Sequence, residues 1–103
     1  MSNWRLICKL DDIPQLGSRV VQRQGGGDIA VFRNAGDEVF ALHDKCPHKG
    51  GPLSQGIVHG KRVTCPLHGW NIGLEDGQAV APDVGSCGSF AVKVENGEVF
   101  LAV

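Results

Sequence analysis

Two short segments each set a thiol beside an imidazole: Cys46-Pro47-His48 and Cys65-Pro66-Leu67-His68. Sixteen residues separate His48 from Cys65, and both segments lie in Pro- and Gly-rich surroundings that turn rather than extend. Thiolates and neutral imidazoles are metal ligands. Three arrangements are open to such a set. The four residues could be unrelated, as single buried cysteines and surface histidines usually are. They could form a tetrahedral zinc site, although a zinc finger ordinarily pairs Cys with Cys and His with His. Or they could divide between the irons of one [2Fe–2S] cluster, two thiolates on one iron and two imidazoles on the other. Two loops that each give one Cys and one His suit the third arrangement.

The elements around these segments read as short strands. Fifteen glycines and five prolines in 103 residues imply many turns and no long helix. Trp4, Leu6, Cys8 and Leu10 alternate, which predicts a strand with those four on its core face. A short helical turn at Asp11-Asp12-Ile13-Pro14 ends at Gly17. Strands are expected over 19–23 and 29–33, around a hairpin tip of Gly25-Gly26-Gly27-Asp28, and over 38–42 after the turn Asn34-Ala35-Gly36-Asp37. The three glycines of that tip are not a phosphate cradle, because no helix and no Lys-Ser/Thr follow. Segment 43–77 differs in texture, holding all four histidines, two cysteines, three prolines and seven glycines. Its expected strands are 56–59, 61–64 and 70–74, with Gly60 in a tight turn and Asp76-Gly77 as a hairpin signal. Alternation resumes over 90–95, and Asn96-Gly97 predicts a type I′ turn into 98–103. The length fits one domain, residues 1–103, with a basal β part over about 1–42 and 78–103 and a loop-rich insertion over about 43–77.

Over residues 42–77 the chain resembles the Rieske family. The match rests on Asp44-Lys45-Cys46-Pro47-His48-Lys49-Gly50-Gly51-Pro52-Leu53-Ser54-Gln55-Gly56 and Cys65-Pro66-Leu67-His68-Gly69-Trp70, which look like its two cluster loops. The resemblance implies an all-β fold, an antiparallel β sandwich with a cluster-binding subdomain inserted at one tip. It implies one [2Fe–2S] cluster per chain, with Cys46 and Cys65 on the inner iron and His48 and His68 on the outer. Bridging sulfides need hydrogen-bond donors, and the backbone N–H groups of Gly50, Gly51 and Gly69 are expected to supply them.

The loops differ from those of the respiratory-complex type. That type joins its loops by a disulfide, at positions held here by Gly51 and Leu67. It also places a hydroxyl residue and a Tyr where this chain has Trp70 and Ile72. Fewer donors to sulfur imply a potential in the lower part of the family's range of roughly −150 to +300 mV. The block from Cys46 to Ser54, with Ala79-Val80-Ala81-Pro82-Asp83, is more similar to the small subunit of NAD(P)H-dependent nitrite reductase, an enzyme of nitrate assimilation. That likeness implies a large subunit carrying flavin and sirohaem as partner. The alternative is a Rieske ferredoxin between a flavin reductase and the terminal oxygenase of an aromatic-ring dioxygenase. In neither case is the chain catalytic alone.

The remaining features are plainer. A net charge of −1 with no basic cluster argues against nucleic acid or an anionic membrane as partner. No apolar run reaches the roughly 18 residues a membrane helix needs, and Met1-Ser2-Asn3-Trp4-Arg5 lacks the layout of a secretory leader. The expected location is the cytoplasm, where thiols stay reduced. Cys8 reads as a small core residue, Cys87 as a loop residue near the cluster but not a ligand, and His43 and His59 as ordinary satisfied or solvated histidines. Lys45, Lys49, Lys61 and Arg62 could steer an acidic partner.

The missing hydroxyls carry a testable consequence. An electron-rich cluster keeps the imidazoles of His48 and His68 protonated in the oxidised protein at neutral pH, and their proton losses belong to the pair. The midpoint potential is expected to stay flat through pH 7 and to fall by about 59 mV per pH unit only in alkali. Protein-film voltammetry checks it: a slope already present at pH 7 contradicts the argument from Trp70 and Ile72.

Overall fold

Ile29, Ala30, Val31 and Phe32 are four consecutive apolar residues, and all four are fully buried. Successive side chains of a strand point to opposite faces, so this strand must be covered on both. The computed structural model, which describes residues 4–23, 27–46, 51–66, 69–81 and 84–102, shows how. Among the described residues the strands are β1 (Trp4–Lys9), β2 (Ser18–Val21), β3 (Ile29–Arg33), β4 (Val39–His43), β5 (Ile57–His59), β6 (Arg62–Thr64), β7 (Asn71–Gly73), β8 (Ser89–Phe90), β9 (Val92–Glu95) and β10 (Glu98–Ala102). They form three antiparallel sheets, ordered β1-β10-β9, β2-β3-β4-β8 and β5-β6-β7. Two single-turn 3-10 helices, Leu10–Asp12 and Leu53–Gln55, complete the regular structure.

The four-stranded sheet lies between two cores. Ile29, Val31 and Ala41 pack with Cys8, Ile13, Val99 and Leu101. Ala30, Phe32 and Leu42 pack with Leu53, Val58, Val63, Ile72 and Leu74, and with both Cys46 and Cys65. The all-β sandwich expected from the sequence is therefore present, and the second core is the one that holds the cysteines.

Two expectations need correction. Trp4 and Leu6 do not face the core; they are 39% and 52% exposed. The pairing of β1 with β10 shifts between Leu6 and Cys8, so that Leu6 opposes Phe100 while Cys8 opposes Val99. One extra residue, Ile7, is inserted there, and a bulge of this kind exchanges the faces on either side of it. Cys8 thus reaches the core and Trp4 and Leu6 stand outside. The alternation over 90–95 is also not one strand. Ser89–Phe90 pairs with β4, whereas Val92–Glu95 pairs with β10, and Ala91 is where the chain crosses between sheets.

Other turns match their sequence signals. Asn96 and Gly97 have φ of 52° and 76°, both left-handed as a type I′ turn requires. Asp12 accepts the Lys9 N–H at 2.9 Å and so holds the start of the first 3-10 helix. Of the expected glycine tip, Gly25 and Gly26 lie outside the described residues.

Asn34 couples the middle sheet to the cysteine-bearing one. It is buried, with Oδ1 accepting from the N–H groups of Gly36 (3.0 Å) and Glu38 (2.9 Å). Its Nδ2 donates to Glu38 Oε1 (3.0 Å) and, across the layers, to the Gly60 carbonyl (3.1 Å) in the β5–β6 turn. Replacing Asn34 by Ala strands those partners, and the urea midpoint is expected to report a loss of about 2 kcal/mol. A midpoint within error of the parent would show that Asn34 does not join the layers.

Candidate metal centre

Cys65 follows directly on β6, whose Val63 is packed inward against Val58 and Ile72 of its neighbours. Cys46 lies three residues beyond the end of β4. Both cysteines are 2% exposed, share one core and are free of disulfides. Each begins a loop closed in the same way. The Cys46 N–H donates to the Gly51 carbonyl at 2.7 Å, and the Cys65 N–H donates to the Trp70 carbonyl at 2.7 Å. Both rungs span five residues, so two loops of matched size leave the same core. His48 and His68 fall within these loops by sequence, and both lie outside the described residues, as do Pro47, Lys49, Gly50 and Leu67.

The first loop is clamped at its base by a residue that sequence reasoning did not single out. Asp44 accepts from the Ser54 backbone N–H at 2.7 Å and from its hydroxyl at 2.9 Å. The Ser54 carbonyl in turn accepts the Ser18 hydroxyl at 2.7 Å, which ties the clamp to β2. A carboxylate that accepts two bonds across ten residues holds both ends of the loop at once. Both residues lie in the segment that carries the family resemblance, but their spacing alone does not announce that they bond to each other.

The second loop is tightened by a turn of its own. The Gly69 N–H donates to the Cys65 carbonyl at 3.1 Å, within its own loop. Gly69 is at φ +72°, a conformation in which glycine is at home, and that turn is what aims its N–H back into the loop. Ile72 is fully buried in the core shared by Cys46 and Cys65, so an apolar chain stands where a donor to sulfur was judged absent.

The remaining candidates have ordinary surroundings. Cys87 is half-buried against the core that holds Cys46. Burial pushes its thiol up to about 11, against the lowering effect of its own backbone hydrogen bond, with Cys46 and Asp76 adding to the rise. Cys8 belongs to the other core, and burial raises its thiol as well, opposed by Arg19 and assisted by Asp12. Lys61 is exposed and lies 3.9 Å from Glu38 and 3.7 Å from Glu75, pairs of little energetic weight. Lys45 and Arg62 are exposed, and Pro82 lies outside the described residues. His59 is exposed but not merely solvated: its Nε2 is 2.7 Å from Thr64 Oγ1 and 3.1 Å from Asn71 Oδ1.

Residues 3–92 match the Rieske [2Fe-2S] domain, and the chain belongs to that family. As a member it is an electron-transfer protein with a Rieske-type [2Fe–2S] cluster. Among particular relatives, it is 35% identical over 100 residues to ferredoxin CarAc of Metapseudomonas resinovorans, covering 96% of this chain and 92% of that one. It superposes with a TM-score of 0.85, at 32% identity and over 99% and 94% of the two chains, on a chain from the complex of reduced oxygenase and oxidized ferredoxin in carbazole 1,9a-dioxygenase. The E. coli protein NirD gives a TM-score of 0.82 at 30% identity, over 98% and 96% of the chains. The described residues fit such a cofactor: two buried, disulfide-free thiols start two matched loops from one core.

The two further cysteines separate ligand from bystander. Replacing Cys8 or Cys87 by Ser is expected to leave the visible spectrum of the purified protein unchanged. Bleaching on loss of Cys87 would put that thiol among the ligands.

Proposed function

We propose that Cys46 and Cys65 hold one iron and His48 and His68 the other. We further propose that the chain delivers single electrons from a flavin reductase to a terminal oxygenase. When bound, the cluster supplies a one-electron couple. The protein's own part is to hold that couple stiffly and to leave one edge within reach of a partner. Cys46 and Cys65 sit deep, while Pro52, Pro66 and Gly69 beside them are exposed, so the loops bridge interior and surface. Backbone rungs at both loop bases, with the Asp44–Ser54 clamp at the first, hold those bases in place, and a site held in place favours fast exchange.

The observation that carries the choice of partner is the near end-to-end match with ferredoxin CarAc at 35% identity. The superposition on a chain from an oxygenase–ferredoxin complex supports it. A second reading, favoured by the segment from Cys46 to Ser54 and by Ala79-Val80-Ala81, makes the chain the small subunit of an NAD(P)H nitrite reductase with a large flavin and sirohaem subunit. NirD at 30% identity fits that reading, and structural neighbours include nitrite reductase small subunits.

Stopped-flow mixing separates the two. The dithionite-reduced protein is expected to re-oxidise on mixing with a ring-hydroxylating terminal oxygenase and to sustain its turnover with a flavin reductase and NADH. Tight co-purification with a flavin- and sirohaem-containing polypeptide, with no electron delivery to an oxygenase, would overturn the carrier reading in favour of the reductase subunit.

A further inference from the structure

The second ligand loop leaves its sheet between Thr64, at the end of β6, and Asn71, at the start of β7. These two residues oppose each other across the strands. Val58, Val63 and Ile72 occupy the buried face of that sheet, so Thr64, Asn71 and His59 share the other face. There the three side chains converge. The Thr64 hydroxyl donates to Asn71 Oδ1 at 2.7 Å. His59 Nε2 reaches from β5 to the same hydroxyl oxygen at 2.7 Å and to the same amide oxygen at 3.1 Å.

A hydroxyl has one proton, and with the Asn71 amide oxygen facing it Thr64 gives that proton to Asn71. In its Nε2–H tautomer His59 donates to both oxygens. A residue from a third strand thus locks a cross-strand pair in place, directly beneath the rung from the Cys65 N–H to the Trp70 carbonyl. Asn71 is held from the other side as well, since its carbonyl accepts the Val80 N–H at 2.8 Å. The arrangement is the counterpart of the Asp44–Ser54 clamp on the first loop, built from different residues.

We propose that His59 is a positioning residue which, through Thr64 and Asn71, holds the mouth of the second ligand loop and thereby the geometry of Cys65 and the loop that follows it. The proposal rests on the reading that this loop supplies cluster ligands. An exposed hydrogen bond adds little to global stability, because water replaces it. Its effect is therefore local, on the opening of residues 64–71.

Two variants of the cluster-loaded protein test it. His59→Phe keeps a residue suited to a strand and removes the donor; His59→Gln restores an amide donor. Hydrogen exchange of the peptide spanning 62–73 is expected to quicken about threefold in H59F, the low end of what one hydrogen bond contributes when water can replace it, and to return to the parent's rate within error in H59Q. The EPR lines of reduced H59F should broaden as the loop samples more geometries, and those of H59Q should not. Thr64→Val, which removes the Thr64–Asn71 bond and one of the two His59 bonds, should quicken exchange as well, and the double variant should fall short of the sum of the two single effects because they share that bond. Exchange and line shape of H59F equal to the parent's, with the parent coloured and loaded with iron, overturns the role of His59. A colourless, iron-free parent instead overturns the ligand reading on which the proposal stands.

Discussion

The backbone amides of Cys46 and Cys65 each donate to a carbonyl five residues on, and these two rungs decide what the rest of the chain must do. A rung of that kind turns a flexible segment into a loop of defined size with its cysteine fixed at the base. Because both cysteines are buried, the bases must be anchored in a core, and the core needs sheets on either side of it. The three-stranded β5-β6-β7 sheet supplies one wall, and the underside of the four-stranded sheet, through Ala30, Phe32 and Leu42, supplies the other. The outer β1-β10-β9 sheet then covers the face that Ile29, Val31 and Ala41 would otherwise expose to water.

The side-chain bonds around the loops follow a common logic with unlike parts. On the first loop a carboxylate accepts two bonds from one serine; on the second a threonine and an asparagine meet beneath an imidazole. Asn34 holds the sheets together at the far end of the β5–β6 hairpin. Polar bonds of this kind specify a position rather than supply bulk stability, which comes from the two apolar cores. The division suits an electron carrier, in which small displacements of the site matter more than a few kilocalories of folding energy.

Much of this was legible in the sequence, for physical reasons. The Cys-Pro-His and Cys-Pro-Leu-His segments announce metal chemistry because few other tasks need thiolate and imidazole side by side. The Asn96-Gly97 turn and the strand over 29–33 follow from local rules of φ and strand-forming runs, and only the structure shows that strand buried on both faces. What failed was everything that depended on register. The bulge at Ile7 reversed the faces of Trp4 and Leu6, and no composition marks a bulge. Ala91 hides a change of sheet within an unbroken alternation. Asp44, Ser54, His59, Thr64 and Asn71 are separated in sequence and meet only once the strands are paired.

The central claim is that two loops hold one [2Fe–2S] cluster through two thiolates and two imidazoles. Nitrogen hyperfine spectroscopy on the dithionite-reduced protein tests it most directly. The account predicts a rhombic signal coupled to two directly bound nitrogens, with the signal lost in both His48→Ala and His68→Ala. An iron–sulfur signal with no coordinated nitrogen, or one that survives either substitution, would contradict it.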